Sequence, residues 1–154
     1  MSLHRYRRDI LGGLTEYPAN LMADLTALTS YSWRKDSSNY ATITELTAGS
    51  VTYHAVASNS NRWGNVSFSV PLNAGSYTLA WDYEIVSGTI PYPRVAVYTD
   101  DLSDPIAGVT NESPLSFEVA SDITVRVLLY ANSGAVNRTA GYIRYYGLRL
   151  VKTS

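Results

Sequence analysis

The side chains with the best claim to chemistry are carboxylates and aromatic rings set into short alternating segments or the loops between them. Asp82 and Glu84 stand two residues apart in Ser76–Val86. On a strand they share a face at a spacing of about 7 Å. Glycoside hydrolysis needs two carboxyl groups flanking the scissile bond at about 5–9.5 Å, which that spacing meets in number. An open strand with Arg126 nearby is more commonly the setting of a salt-bridged surface, so the pair is read as non-catalytic and the chain as no enzyme. Asp100, Asp101 and Asp104 form the densest carboxylate cluster. Calcium takes about six to eight oxygens, many from loop carbonyls, and this loop can supply some of them. The spacing is not that of an EF-hand, and Asp recurs in turns for backbone reasons alone. These three residues are the candidate ligands of a structural calcium ion, and no other cofactor is expected. His4 and His54 are too few for a zinc site. Neither a Gly-x-Ser-x-Gly elbow nor a Gly-rich phosphate loop occurs.

The elements that must position these groups are strands. Val51–Ala57, Val66–Leu72, Ser76–Val86, Pro93–Thr99, Leu115–Val119, Asp122–Ala131 and Gly141–Val151 alternate Val, Ile, Leu, Thr and Tyr between Gly, Pro, Asn and Asp. With no helical stretch between them they cannot be crossover units of a parallel sheet, so they form antiparallel sheets packed face to face. Tyr31–Lys35 and Tyr40–Leu46 are expected to precede them. Within Ser76–Val86 the residues Tyr77, Leu79, Trp81, Tyr83 and Ile85 point one way, Asp82 and Glu84 the other. Pro93–Thr99 buries Val95 and Val97; Asp122–Ala131 buries Ile123, Val125, Val127 and Leu129. The last strand changes parity: Ile143 and Tyr145 share a face, as do Leu148 and Leu150, which calls for a β-bulge at Gly147. Asp100–Ser113 lacks a strand pattern. Trp63 and Tyr92 fall in loops, where they are candidate rim platforms, whereas Trp33 and Trp81 read as core.

The first thirty residues differ. His4, Arg5, Arg7 and Arg8 make a basic cluster ahead of Gly12-Gly13, which would interrupt any long helix. Leu21, Met22, Leu25 and Leu28 have helical spacing and are expected to form a turn or two. Residues 1–18 are read as an arm outside the domain, either attaching to a neighbour or unfolded, and 19–154 as one sandwich.

Composition narrows the classes further. A chain of 154 residues with 45% apolar content can bury one proper core. Net charge is −1 and charged residues are only 16%, against about 25% in ordinary domains. No basic excess points to nucleic acid, and no apolar stretch reaches the ~20 residues of a membrane span. Cysteine is absent, so disulfides and thiolate metal sites are excluded. No signal peptide is read at the start. The polar surface must be built from Ser, Thr, Asn and Tyr, which desolvate at less cost than ions. The 13 Tyr against 2 Phe suggest half-exposed rings on a binding or subunit-contact surface, although sheets favour Tyr in any case.

The order of motifs resembles a known family. Gly75-Ser-Tyr-Thr-Leu-Ala-Trp81 is similar to the Gly-x-Tyr-x-Leu-x-(Phe/Trp) strand of jelly-roll carbohydrate-binding modules. Val66, Phe68 and Val70 before it, then Phe117-Glu-Val119, Ile123-Thr-Val125 and the closing Tyr145-Tyr-Gly-Leu-Arg-Leu-Val151 follow in the family's order. Asn20-Leu21 ahead of Trp33 resembles its opening element. The resemblance covers about Asn20–Val151. It implies an all-β jelly-roll sandwich of two antiparallel sheets, a glycan-binding face and a structural calcium ion. Pairing in the family's manner would line one sheet with Asp82, Glu84, Tyr98, Arg126, Tyr130 and Arg144. Arg, carboxylates and Tyr together can stack on sugar rings and bind paired hydroxyls; the alternatives are a subunit contact or plain surface. The same fold serves phage tail, baseplate and fibre proteins. The expectation is therefore a non-enzymatic display module of a virion or extracellular surface, binding host glycans or other surface proteins, as a homo-oligomer. The alternatives are a purely structural assembly protein and, remotely, a glycan-active enzyme.

Overall fold

A computed structural model describes residues 4–8, 14–32, 41–55, 65–132 and 140–154, with the backbone alone described at 4–8, 14–18 and 140. The described strands are β1 (His4–Arg8), β2 (Leu14–Pro18), β3 (Thr29–Ser32), β4 (Ala41–Leu46), β5 (Ser50–Ala55), β6 (Asn65–Leu72), β7 (Gly75–Thr89), β8 (Arg94–Thr99), β9 (Pro105–Thr110), β10 (Leu115–Val119), β11 (Ile123–Tyr130) and β12 (Ala140–Lys152). Two five-stranded antiparallel sheets form a β-sandwich. The first has the order β3-β6-β11-β8-β9 and the second β10-β7-β12-β5-β4, while β1 and β2 pair as a separate hairpin. From β5 onward the chain changes sheet at every step except the β8–β9 hairpin. A strand with one apolar row buries it by facing the other sheet, and this sequence supplies such rows one after another.

The core is the meeting of those rows. Val66, Phe68, Val70, Val95, Val97, Val125, Val127 and Leu129 come from the first sheet. Val51, Tyr53, Tyr77, Leu79, Trp81, Ile143, Tyr145, Leu148 and Leu150 come from the second. The expected bulge is at Gly147, where φ is +60° and pairing with β7 slips between Tyr146 and Arg149. A Cβ there would take on the cost of a left-handed backbone and stand 3.2 Å from Asp82 Oδ2. Just past it, Asn20 ties the entry of the chain to β12. Its Nδ2 donates to the Leu148 carbonyl at 3.0 Å and its Oδ1 accepts from the Leu150 amide at 2.9 Å.

Several expectations need correction. Asp100–Ser113 contains β9, paired with β8 through two register shifts that break its alternation. The turn expected within Asn20–Leu28 is present, as a single 3-10 turn at Leu25–Ala27 capped by Asp24 Oδ1 on the Thr26 amide. Ala48 and Leu150 carbonyls take the Leu25 and Leu21 amides, which favours this irregular path over a longer helix. The first strand of the sandwich is Thr29–Ser32, ahead of the expected Tyr31–Lys35, and Trp33 lies outside the described residues. Tyr83 and Ile85 pair with buried Tyr145 and Ile143 yet are 41% and 46% exposed, so the inward row expected along β7 is buried only as far as Trp81.

The tyrosine excess is also a core feature. Tyr53, Tyr77, Tyr130 and Tyr145 are all buried. Tyr53 donates its hydroxyl to the Leu129 carbonyl at 2.8 Å. Tyr145 shares its hydroxyl proton between the Tyr130 carbonyl and the Arg94 carbonyl, the latter at 3.2 Å. These bonds run from the second sheet to the first. Removing one leaves a buried carbonyl short of a donor, so Tyr53→Phe and Tyr145→Phe should each lower stability by about 1–3 kcal/mol, read from denaturant melts. Burial pushes both phenols well above the ordinary value of 10.0. The neutral form is the one the fold favours, so this contribution is complete below about pH 10 and lost as pH rises through it. The thermal midpoint should fall steeply above that pH, with part of the tyrosinate absorbance appearing only on unfolding.

Candidate functional site

The sandwich has two outer faces, and the residues proposed for one surface are divided between them. Tyr98 of β8 and Arg126 and Tyr130 of β11 belong to the first sheet; Asp82 and Glu84 of β7 and Arg144 of β12 belong to the second. The single shared sheet expected from the family's pairing is therefore corrected. Alternation along a strand sets which residues share a face, but which sheet a strand joins depends on the path of the chain.

The first sheet's outer face is largely satisfied by its own residues. Arg126 lies 3.7 Å over the Tyr31 ring, gives Nε to Asp100 Oδ1 at 3.1 Å and Nη2 to the Asp100 carbonyl at 2.8 Å. Its side chain is only 11% exposed. The Ser69 hydroxyl also donates to Asp100. Ala96, Leu128 and Tyr130 are buried on this outer side against Tyr92, Tyr98, Leu102 and Val109. Tyr92 meets Tyr130 edge-on at 6.4 Å and carries the Arg94 guanidinium 4.7 Å over its ring. Leu102 adopts φ +64° at the β8–β9 turn, a strained conformation for a branched apolar residue, and its packing against this cluster offsets that strain. Tyr98, Tyr130 and Tyr92 thus belong to a second, smaller core, while Arg126 is held by Tyr31 and Asp100. Trp63 lies outside the described residues.

The aspartates of the β8–β9 turn are likewise used internally. Asp101 Oδ1 accepts from the Thr99 hydroxyl at 2.7 Å and from the Ser103 amide and hydroxyl at 3.0 and 2.7 Å. Ser103 first, then Thr99, lowers its pKa from 3.8 to about 2. Asp100 is taken by Arg126, and the Asp104 carbonyl accepts the Thr99 amide at 2.9 Å. Among the described residues no three His, Cys, Asp or Glu side chains converge on a point that could hold a metal. Asp100, Asp101 and Asp104, grouped in the sequence analysis as calcium ligands, thus do not come together as one three-carboxylate group. Their spacing serves an Asx-type turn and an ion pair.

The second sheet's outer face is open. Along β12, Tyr142, Arg144 and Tyr146 alternate with buried Ile143 and Tyr145. Tyr142, 38% exposed, stacks on His54 of β5 with centroids 4.7 Å apart. Arg144 has its guanidinium 4.7 Å over the Tyr146 ring and its Nε 3.3 Å from Glu84 Oε1. That contact is within ion-pair reach, although Nε itself is buried from solvent and has no aligned hydrogen-bond acceptor. Glu84 and Arg144 side chains are 51% and 39% exposed. Asp82 completes the row opposite Tyr146. Aromatic faces beside a carboxylate–guanidinium pair can stack on a sugar's C–H face while exchanging hydrogen bonds with neighbouring hydroxyls. Tyr142, Tyr146 and His54 were absent from the sequence-derived site. Their signal was the period-2 alternation that put Ile143 and Tyr145 inside, which leaves their neighbours outside.

The chain matches no known family model, and no curated protein is similar enough to it to serve as a relative. The division of the two faces carries its own expectation. Arg126→Ala should destabilise the protein by about 1–3 kcal/mol through loss of charge-assisted bonds. Hydrogen exchange should show the Leu102 amide, bonded to the Thr99 carbonyl at 2.8 Å, losing protection first.

Proposed function

We propose that the protein is a non-enzymatic binding module, a jelly-roll β-sandwich displayed on a virion or cell surface, that holds glycans on the outer face of its second sheet. The observation that carries this reading is the Tyr142–His54 stack standing beside the Arg144–Glu84 pair on an uncovered sheet face. Rigid rings already stacked on a protein neighbour lose little conformational freedom when a ligand lands on them. The alternation of successive strands between sheets and the order of motifs from Gly75 to Val151 support the jelly-roll resemblance. The sparse charge of the chain supports a neutral ligand over a polyanion. Asp82 and Glu84 act here as hydrogen-bond acceptors, with no reaction assigned to them.

A glycan array followed by titration of the best sugar tests the reading. Saturable binding is expected. Tyr142→Ala should weaken it by roughly tenfold or more, the scale of one lost aromatic contact. Tyr98→Ala, on the opposite face, should leave it within about twofold. Absence of saturable binding to any glycan, or binding lost equally at Tyr98, would remove the second sheet's face as the site.

A further inference from the structure

The far half of β7 is the least protected stretch of the described sandwich. β10 lies along only Gly75–Leu79, and the Trp81 amide is taken by the Ser113 hydroxyl at 3.1 Å. Beyond that, no described strand pairs with this side of β7, while β12 occupies the other. Backbone groups alternate in direction along an antiparallel strand. Tyr83 and Ile85 therefore turn their N–H and C=O outward, as Trp81 does. Every residue from Asp82 to Thr89 is exposed. Tyr83, Ile85 and Val86, at 41%, 46% and 54%, are three of the five exposed large apolar side chains among the described residues. Proteins ordinarily blunt such an edge with Pro, Lys or a covering loop. This stretch, Asp-Tyr-Glu-Ile-Val-Ser-Gly-Thr, contains neither residue; its irregularities are the register shift opposite Tyr142 and Ile143 and the positive φ of +76° at Gly88, both beyond Ile85.

Charge selects the occupant. Glu84 is paired with Arg144, whereas Asp82 has no ion pair among the described residues, so the edge keeps an acidic balance. Self-pairing of two β7 edges about a two-fold axis at Tyr83 or Glu84 would oppose Asp82 to Glu84 or Glu84 to itself. Like charges directly opposite each other destabilise a sheet. The hairpin strand β1 has the complementary character. His4-Arg5-Tyr6-Arg7-Arg8 holds three Arg and a His with no acid, and among the described strands it pairs only with β2. Its five residues fit within the free stretch.

We infer that β1 of one copy adds as an extra strand to the open Asp82–Thr89 edge of β7 in another copy. Main-chain hydrogen bonds supply affinity, and the Arg-rich strand against Asp82 and Glu84 supplies selection and register. Such a contact joins two different surfaces. Copies therefore add head to tail until a ring closes or a chain grows. This assembly does not depend on the glycan reading.

The test uses the full-length chain in light scattering across a range of concentration and salt. Self-association that weakens with added salt is expected. Tyr83→Pro removes an outward N–H without touching the ladder to β12 and should weaken association roughly tenfold or more. Asp82→Lys with Glu84→Lys should do the same, as should Arg5→Glu with Arg7→Glu. Combining both reversals in one chain should restore most of the loss. Circular dichroism checks that each variant remains folded; if Tyr83→Pro does not fold, the charge variants decide. A monomer at every concentration, association indifferent to these variants, or a combined reversal no better than either alone would each overturn the inference.

Discussion

Two buried hydroxyls hold the sheets of this protein in register with each other. Tyr53 and Tyr145 rise from adjacent strands of the second sheet and donate across the core to the carbonyls of Leu129 and Tyr130, where β11 ends. A phenol buried without an acceptor is costly, so the fold is committed to placing that strand end where both can reach it. Tyr53 and Tyr145 lie nearly parallel, with ring centroids 6.4 Å apart, and the rings fill the space that a Phe would. The hydroxyls add direction, which apolar packing alone lacks.

β12 transmits that constraint to the rest of the molecule. It is the central strand of the second sheet, flanked by β7 and β5, and its residues decide what each face presents. Up to Tyr146 the outward positions carry Tyr142, Arg144 and Tyr146. At Gly147 the parity shifts, so that Leu148 and Leu150 can still point inward. Without the bulge one of the two halves would expose its apolar row. Asn20 binds the segment immediately beyond it, so the same irregularity also fixes where the chain enters the sandwich.

The two outer faces have become different kinds of surface. On the first sheet, Arg126, Asp100, Tyr31 and the Tyr92–Tyr130 contact use one another's bonding capacity, and the result is structural. On the second, a ring stack and a partly exposed ion pair stand side by side. The half of β7 that β10 leaves without a neighbour borders this second face.

The period-2 alternation made most of the strands, the core rows and the bulge at Gly147 readable in the amino-acid order, because a half-buried strand must alternate and a change of parity needs an inserted residue. It likewise showed Glu84 and Arg144 to be outward-facing. β9 stayed hidden because its register shifts erase the alternation, and the Asp-rich loop looked like a cation site because Asp serves turns and metals equally well. Which strands share a sheet was decided only by the folded chain. Side-chain direction is a local property of each strand, whereas sheet membership depends on long-range pairing that no short segment encodes. That is why Arg126 and Arg144, alike in sequence setting, ended on opposite faces, one buried against a tyrosine and one partly exposed.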